Sequence, residues 1–96
     1  MAGETFADLE ARHTVSVQSF RAILEDYATR GWAIASLVVI ALVKRTEPNA
    51  QDTATLLASA RRGFEIQRRR REIKAALEYH KVVVYLENHL SQTAKI

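Results

Sequence analysis

Ile66-Gln67-Arg68-Arg69-Arg70-Arg71-Glu72-Ile73 is the stretch on which the fold of this chain turns. It lies midway through one amphipathic pattern running from about Ala50 to Ser91, interrupted only by Gly63. Read as helix, four consecutive residues cover about 300° of the circumference, at about 100° each. They cannot all face water if that helix has one face in a core. At least one guanidinium then meets packed neighbours, a partner chain or a bound anion.

A heptad register selects which one. Leu56, Gly63, Arg70, Leu77 and Val84 share one seam position, and Ser59, Ile66, Ile73, His80 and Glu87 share the other. A neighbouring stripe holds Leu57, Ala60, Phe64, Ala75, Val83, Leu86 and Leu90. The combined face is wide, as for a helix packed on two neighbours. Arg69 follows Glu65 by four residues and Arg68 precedes Glu72 by four. Both read as surface ion pairs, each worth about 0.5 kcal/mol or less. Arg71 falls at the edge of the second stripe. Arg70 falls on the seam and needs a partner, because a buried unpaired charge is very costly. Four readings are open for it. Its stem packs while its head reaches water. It pairs with Glu25, Asp26 or Glu47 of a neighbouring helix. It meets nucleic-acid phosphates. Or it holds a small anion inside a bundle.

The first half supplies the opposing arm. Thr46-Glu47-Pro48-Asn49 is the clearest boundary, since Pro48 disfavours helix at Glu47 and Asn49 is a good N-cap with Asp52 behind it. Lys44 and Arg45 suit the preceding helix C-terminus. Val17, Phe20, Ile23, Leu24 and Tyr27 give helical spacing over Ser16–Arg30. Gly31 is a possible C-cap, but apolar Trp32-Ala33-Ile34 follows without a capping residue, which favours a continuous helix with a kink. Thr5–Arg12 places Phe6 and Leu9 on one face of a short helix, and His13–Val17 alternates as an extended segment would, a weak joint. The expectation is all-α: a long helical hairpin or three- to four-helix bundle completed by oligomerisation. It forms one helical domain over 1–96, with a first arm at about 5–45, a turn at 46–49 and a second arm at about 50–93.

Composition agrees with that class. Three Gly and one Pro in 96 residues are too few for a turn-rich β fold, and the absence of Cys removes disulfides and thiolate metal sites. The net charge of +3 is uneven. Residues 1–48 carry five basic and six acidic side chains, whereas 61–74 alone carry seven basic and two acidic. That local excess suggests a patch for an anionic partner, or a solvated face laced with ion pairs. The apolar run Trp32–Val43 has twelve residues, too few for the roughly 20 of a membrane span, and reads as a core helix. The acidic start, Met1-Ala2-Gly3-Glu4, lacks an apolar leader, so a cytoplasmic location is expected.

Function follows from unsatisfied surface. A lone hairpin leaves apolar side chains of Trp32–Val43 and Val82–Leu90 uncovered, which points to a second copy. The expected function is a non-enzymatic homo-oligomeric assembly, adaptor or regulatory protein acting through protein–protein contacts. Its interface candidates are Trp32, Val39, Val43, Ile66, Arg70, Ile73, Leu77, His80 and Val84. The alternative is nucleic-acid binding by a belt of Arg61, Arg62, Arg68, Arg69, Arg70, Arg71 and Lys74. No helix-turn-helix is evident there, and the aromatics beside the belt are limited to Phe64 and Tyr79. A third reading is a small enzyme that resembles the helical chorismate mutases in size and architecture alone, with Arg12, Arg30, Lys44 and Arg70 turned inward. Glu10 and His13 have di-iron Glu-x-x-His spacing, but a surface pair is the simpler reading. His80 reads as an interface histidine and His89 as exposed. No cofactor and no catalytic residue is called for.

Overall fold

Backbone chemistry cuts the expected first arm into three helices and the second into two. The computed structural model describes residues 5–12 and 14–94 and is all-helical, with five helices packed together: α1 (Phe6–Glu10), α2 (Val17–Arg30), α3 (Ser36–Thr46), α4 (Ala50–Arg69) and α5 (Ile73–Ala94). His13, and with it the Glu10–His13 pair, lies outside the described residues.

The first arm ends at Gly31, contrary to the expected continuity. Gly31 adopts φ +73°, and the Trp32 amide donates to the Tyr27 carbonyl at 3.0 Å. That is a Schellman ending, and only glycine enters it without strain. Asn49 caps α4 as expected, accepting from the Asp52 amide at 2.8 Å. Thr5 and Asp8 form a capping box on α1.

The second arm breaks inside the arginine run. The Arg71 amide donates to Arg68 at 3.1 Å and the Glu72 amide to Gln67 at 2.9 Å, with Arg71 at φ +61°. This is again a Schellman ending, with arginine where glycine is usual. The chain then reverses, and the Glu72 carbonyl accepts the first bond of α5 from Ala76 at 2.9 Å. The left-handed conformation costs a non-glycine residue about 1–2 kcal/mol, part of which glycine returns as unfolded-chain entropy. Arg71→Gly is therefore expected to stabilise the fold by about 0.5–1 kcal/mol, read as a higher urea midpoint. A lower midpoint would show that the Arg71 side chain stabilises the turn.

The break changes which residues are inside. α4 buries Thr53, Leu56, Leu57, Ala60, Gly63 and Gln67. Continuing that face by three- and four-residue steps would bury Arg70, Arg71, Lys74 and Glu78. The turn avoids this, and α5 restarts in a new phase with Ala76, Tyr79, Val82 and Leu86 buried. Arg70 is consequently exposed, not in a core seam, and its guanidinium donates to the Thr29 carbonyl at 3.3 Å.

α4 lies between α2 and α5, antiparallel to α5 and parallel to α2. Their pairings run from Glu25 with Arg62 through Ala28 with Gln67 to Thr29 with Arg70. α3 packs on α5, and α1 packs on α3 and α2. Arg45 ties α1 down by donating to the Leu9 carbonyl and, at 2.8 Å, to Glu10. The molecule is 18 Å across its short axis, about two helix diameters. Its core joins Phe6, Leu9, Phe20, Leu24, Val39 and Val43 to the inner faces of α4 and α5.

One contact joins α3 to α5 across 42 residues. Ala35 offers α3 no side-chain cap, and the Glu78 carboxylate instead accepts from the Ser36 amide at 3.0 Å and from Lys81 at 2.9 Å. The amide bond first, then Lys81, holds the Glu78 carboxyl down at about 2, against an ordinary 4.5. A carboxylate with a depressed folded pKa contributes stability above the ordinary value and loses it as the pH falls toward the folded one. Glu78→Gln is expected to cost about 1 kcal/mol at neutral pH, after discounting for solvent screening. The variant and parent should converge near pH 2 in thermal melts. An unchanged gap at both pH values would exclude this cap as its source.

Candidate functional site

The residues proposed from the heptad pattern divide sharply. Ile73, Leu77 and Val84 on α5 are 69%, 53% and 41% exposed, and His80 between them is exposed too. The four fall at steps of four, three and four residues, which puts them on one strip of α5. Its opposite face is the one buried on α4 and α3. α5 thus carries two apolar faces, only one of which the described residues cover. Beside the strip runs a groove of about 300 Å³, lined by Phe64 and Arg68 of α4 and by Ile73, Ala76, Leu77 and His80 of α5. The Phe64 and His80 rings lie 5.7 Å apart along it.

The other interface candidates do not join this strip. Val39 and Val43 are fully buried within the chain and leave no surface for a second copy. They were proposed from an apolar run whose partner is the chain's own core. Ile66 is half-buried against that core. Trp32 lies in the connection between α2 and α3, 5.2 Å from the Tyr27 ring and under the Arg30 guanidinium. Arg70 caps the end of α2. Leu37, at 81%, is the most exposed large apolar side chain among the described residues, although it lies in the apolar run expected to form a core helix.

The basic residues spread over three places instead of forming one belt. Arg62 lies at a polar groove of about 480 Å³ between α2 and α4. There Glu25 accepts from Arg62 at 3.1 Å and Ser59 at 3.3 Å, with Arg21 at 3.8 Å. Arg61 and Arg68 follow the α4–α5 side. Arg61 pairs with Glu87 at 2.7 Å, and Arg68 with Glu65 at 2.9 Å, not with Glu72, which lies beyond the helix end. The Arg68 hydrogen bond draws the Glu65 carboxyl below its ordinary value. Arg69, Arg70, Arg71 and Lys74 surround the turn. Lys74 stands beside the strip, one residue from Ile73, and forms no ion pair among the described residues. Lys81 flanks the same strip, bonded to Glu78.

Other candidates are equally plain. Arg12, Arg30, Lys44 and Arg70, which a mutase-like site would turn inward, all lie on the surface. His89 is half-buried, not exposed, stacked on Tyr85 and 3.3 Å from the Pro48 carbonyl. No helix in the described residues is long and apolar enough to cross a membrane.

Phe64, which periodicity places on the neighbouring stripe, and Ala76, which it does not single out, meet in the groove. Their pairing across the turn could be found only by recognising the turn itself. The polar groove has its charges answered within the fold, whereas the α5 strip has apolar surface that no described residue covers. The strip is therefore the better candidate site. No protein-family model, curated protein or solved structure matches this chain.

Proposed function

We propose that this chain is a non-enzymatic interaction module, an adaptor or regulatory protein whose docking face is the α5 strip. The observation that carries the reading is Ile73, Leu77 and Val84, aligned on one helix face and 69%, 53% and 41% exposed beside a groove. Clustered apolar surface on an otherwise closed core marks contact sites for other macromolecules. The spacing matches a coiled-coil seam, so the contact is with helix. Self-association through this strip is one form of the reading, and a different protein is the other.

A photo-crosslinking side chain at Leu77, in the cells that make the protein, tests the reading. Gln51, exposed and remote from the strip, serves as control. Crosslinking to protein at Leu77 and not at Gln51 is the expected result. Equal or absent crosslinking at both positions would remove the docking face.

Nucleic-acid binding remains a second reading, supported by Arg69, Arg71 and Lys74 exposed together around the turn. It requires an affinity for duplex or single strand that falls steeply with salt and is lost in Arg69→Ala plus Arg71→Ala.

A further inference from the structure

We propose that the α5 strip accepts an acidic amphipathic helix of another protein, lying along α5 with apolar side chains in the groove between α4 and α5. The proposal rests on the reading of the strip as a docking face and adds the chemistry of its occupant.

Shape specifies the helix. Ile73, Leu77, His80 and Val84 follow the alternating four- and three-residue steps of a coiled-coil seam. Their span along α5 is about 16 Å, or three turns of a partner helix. The groove of about 300 Å³ beside them has an apolar floor of Phe64, Ala76 and Leu77 and gives one bulky anchor a seat.

Charge specifies acidity. The flank of the strip facing away from α4 is set by positions 74, 81 and 88, which are Lys74, Lys81 and Asn88. The opposite wall of the groove contributes Arg68. Arg68 and Lys81 already have carboxylate partners, but both pairs are exposed, and exposed pairs exchange at little cost. Lys74 has none. A helix with Glu or Asp on the flanks of its apolar face meets cations on both sides.

The same charges oppose a second copy. Matching Ile73 of one α5 with Val84 of another in antiparallel register sets Lys74 beside Lys81 of the second copy, twice by symmetry. The flank positions 74, 81 and 88 themselves carry no acidic side chain, although Glu78 is bonded to Lys81. Like charges across a seam select against the pairing.

The test uses the intact protein and two fluorescent helical peptides of about 18 residues. Both carry leucine at the seam positions, one with glutamate on the flanks and the other with lysine. Anisotropy at about 0.1 M salt is the readout. The glutamate peptide should bind at least about tenfold more tightly than the lysine peptide. Leu77→Asp, at an exposed position that leaves the melting temperature unchanged, should weaken it at least about tenfold. Lys74→Glu should narrow the preference at least about threefold. Equal affinity for both peptides, or binding indifferent to Leu77→Asp, would overturn the acidic-helix proposal. A dimer in sedimentation that Leu77→Asp converts to monomer would also overturn it, while leaving the docking face intact with a second copy as occupant. If Leu77→Asp changes neither peptide binding nor mass, both the proposal and the docking face fall.

Discussion

Gly63→Ala is expected to lower stability by about 2 kcal/mol or more, although alanine is the better helix former by about 1 kcal/mol. A Cβ at this position would lie within 2.8 Å of the Cδ1, Cε1 and Cζ atoms of Tyr79. The Tyr79 ring has nowhere to withdraw. It is fully buried, and its hydroxyl donates to the Leu24 carbonyl at 3.4 Å. Burial also pushes its phenol well above the usual tyrosine range. Relief requires α4 and α5 to separate, which opens the core along its longest contact. Overpacking of this kind costs about 1–3 kcal/mol, sometimes more, and outweighs the helix-propensity gain. Denaturant midpoints give the measurement. The clash also predicts coupling: Gly63→Ala combined with Tyr79→Leu should be at least about 1 kcal/mol more stable than the two single losses added together. A neutral or stabilising Gly63→Ala would show that α4 and α5 sit farther apart than described here.

That contact explains what was and was not legible beforehand. The α2 face, the Asn49 cap and the end of α3 at Thr46 follow from local chemistry and were readable residue by residue. Gly31 was read as a kink because nothing beside it could start a new helix. The cap for that helix is Glu78, 42 residues away, and no local pattern contains it. The arginine run was read as helix because its ending uses Arg71 in a conformation normally signalled by glycine. A clue was present: extending the α4 face puts Arg70, Arg71, Lys74 and Glu78 in the core. Four charges on one inner face argue for a break, not for one buried arginine.

The candidate site was half legible for a related reason. Ile73, Leu77, His80 and Val84 share one exposed face of α5, since spacing within one helix survives a misplaced turn. Ile66, Arg70, Val39 and Val43 were grouped with them across breaks that reset the phase. α5 is apolar on two faces, and periodicity does not say which one the chain covers. Gly63 decides that, because the ring of Tyr79 fits only where α4 has no side chain. The face bearing Tyr79 therefore turns inward, and the one bearing Leu77 outward.

Gln67 supports the second large effect, and its physics differs from packing. The side chain is fully buried, and its Nε2 donates to the Ala28 carbonyl at 3.3 Å, near the C-terminus of α2. Its Oε1 has no hydrogen-bond partner among the described residues. Exchanging the two amide atoms would set oxygen against the carbonyl, so the orientation follows from the contact itself. Gln67→Glu keeps the shape but replaces a neutral amide with a carboxylate, one oxygen facing the Ala28 carbonyl and the other without a donor among the described residues. At neutral pH the loss is expected to reach about 3–5 kcal/mol, the range for an uncompensated buried charge. Burial raises the pKa of the new carboxyl in the folded state, so the unfolded state ionises first. The penalty should shrink as the pH falls from the raised folded value toward the ordinary glutamate range and vanish below it, because a protonated carboxyl can donate to Ala28. Gln67→Met, which removes the orphaned oxygen together with the one long hydrogen bond, should stay within about 1 kcal/mol of the parent. Chemical denaturation at pH 7 and pH 4 separates these outcomes. A Gln67→Glu variant as stable as Gln67→Met at neutral pH would show that water reaches this end of α4. The orphaned oxygen would then have a partner, and the seal between α2 and α4 would be open.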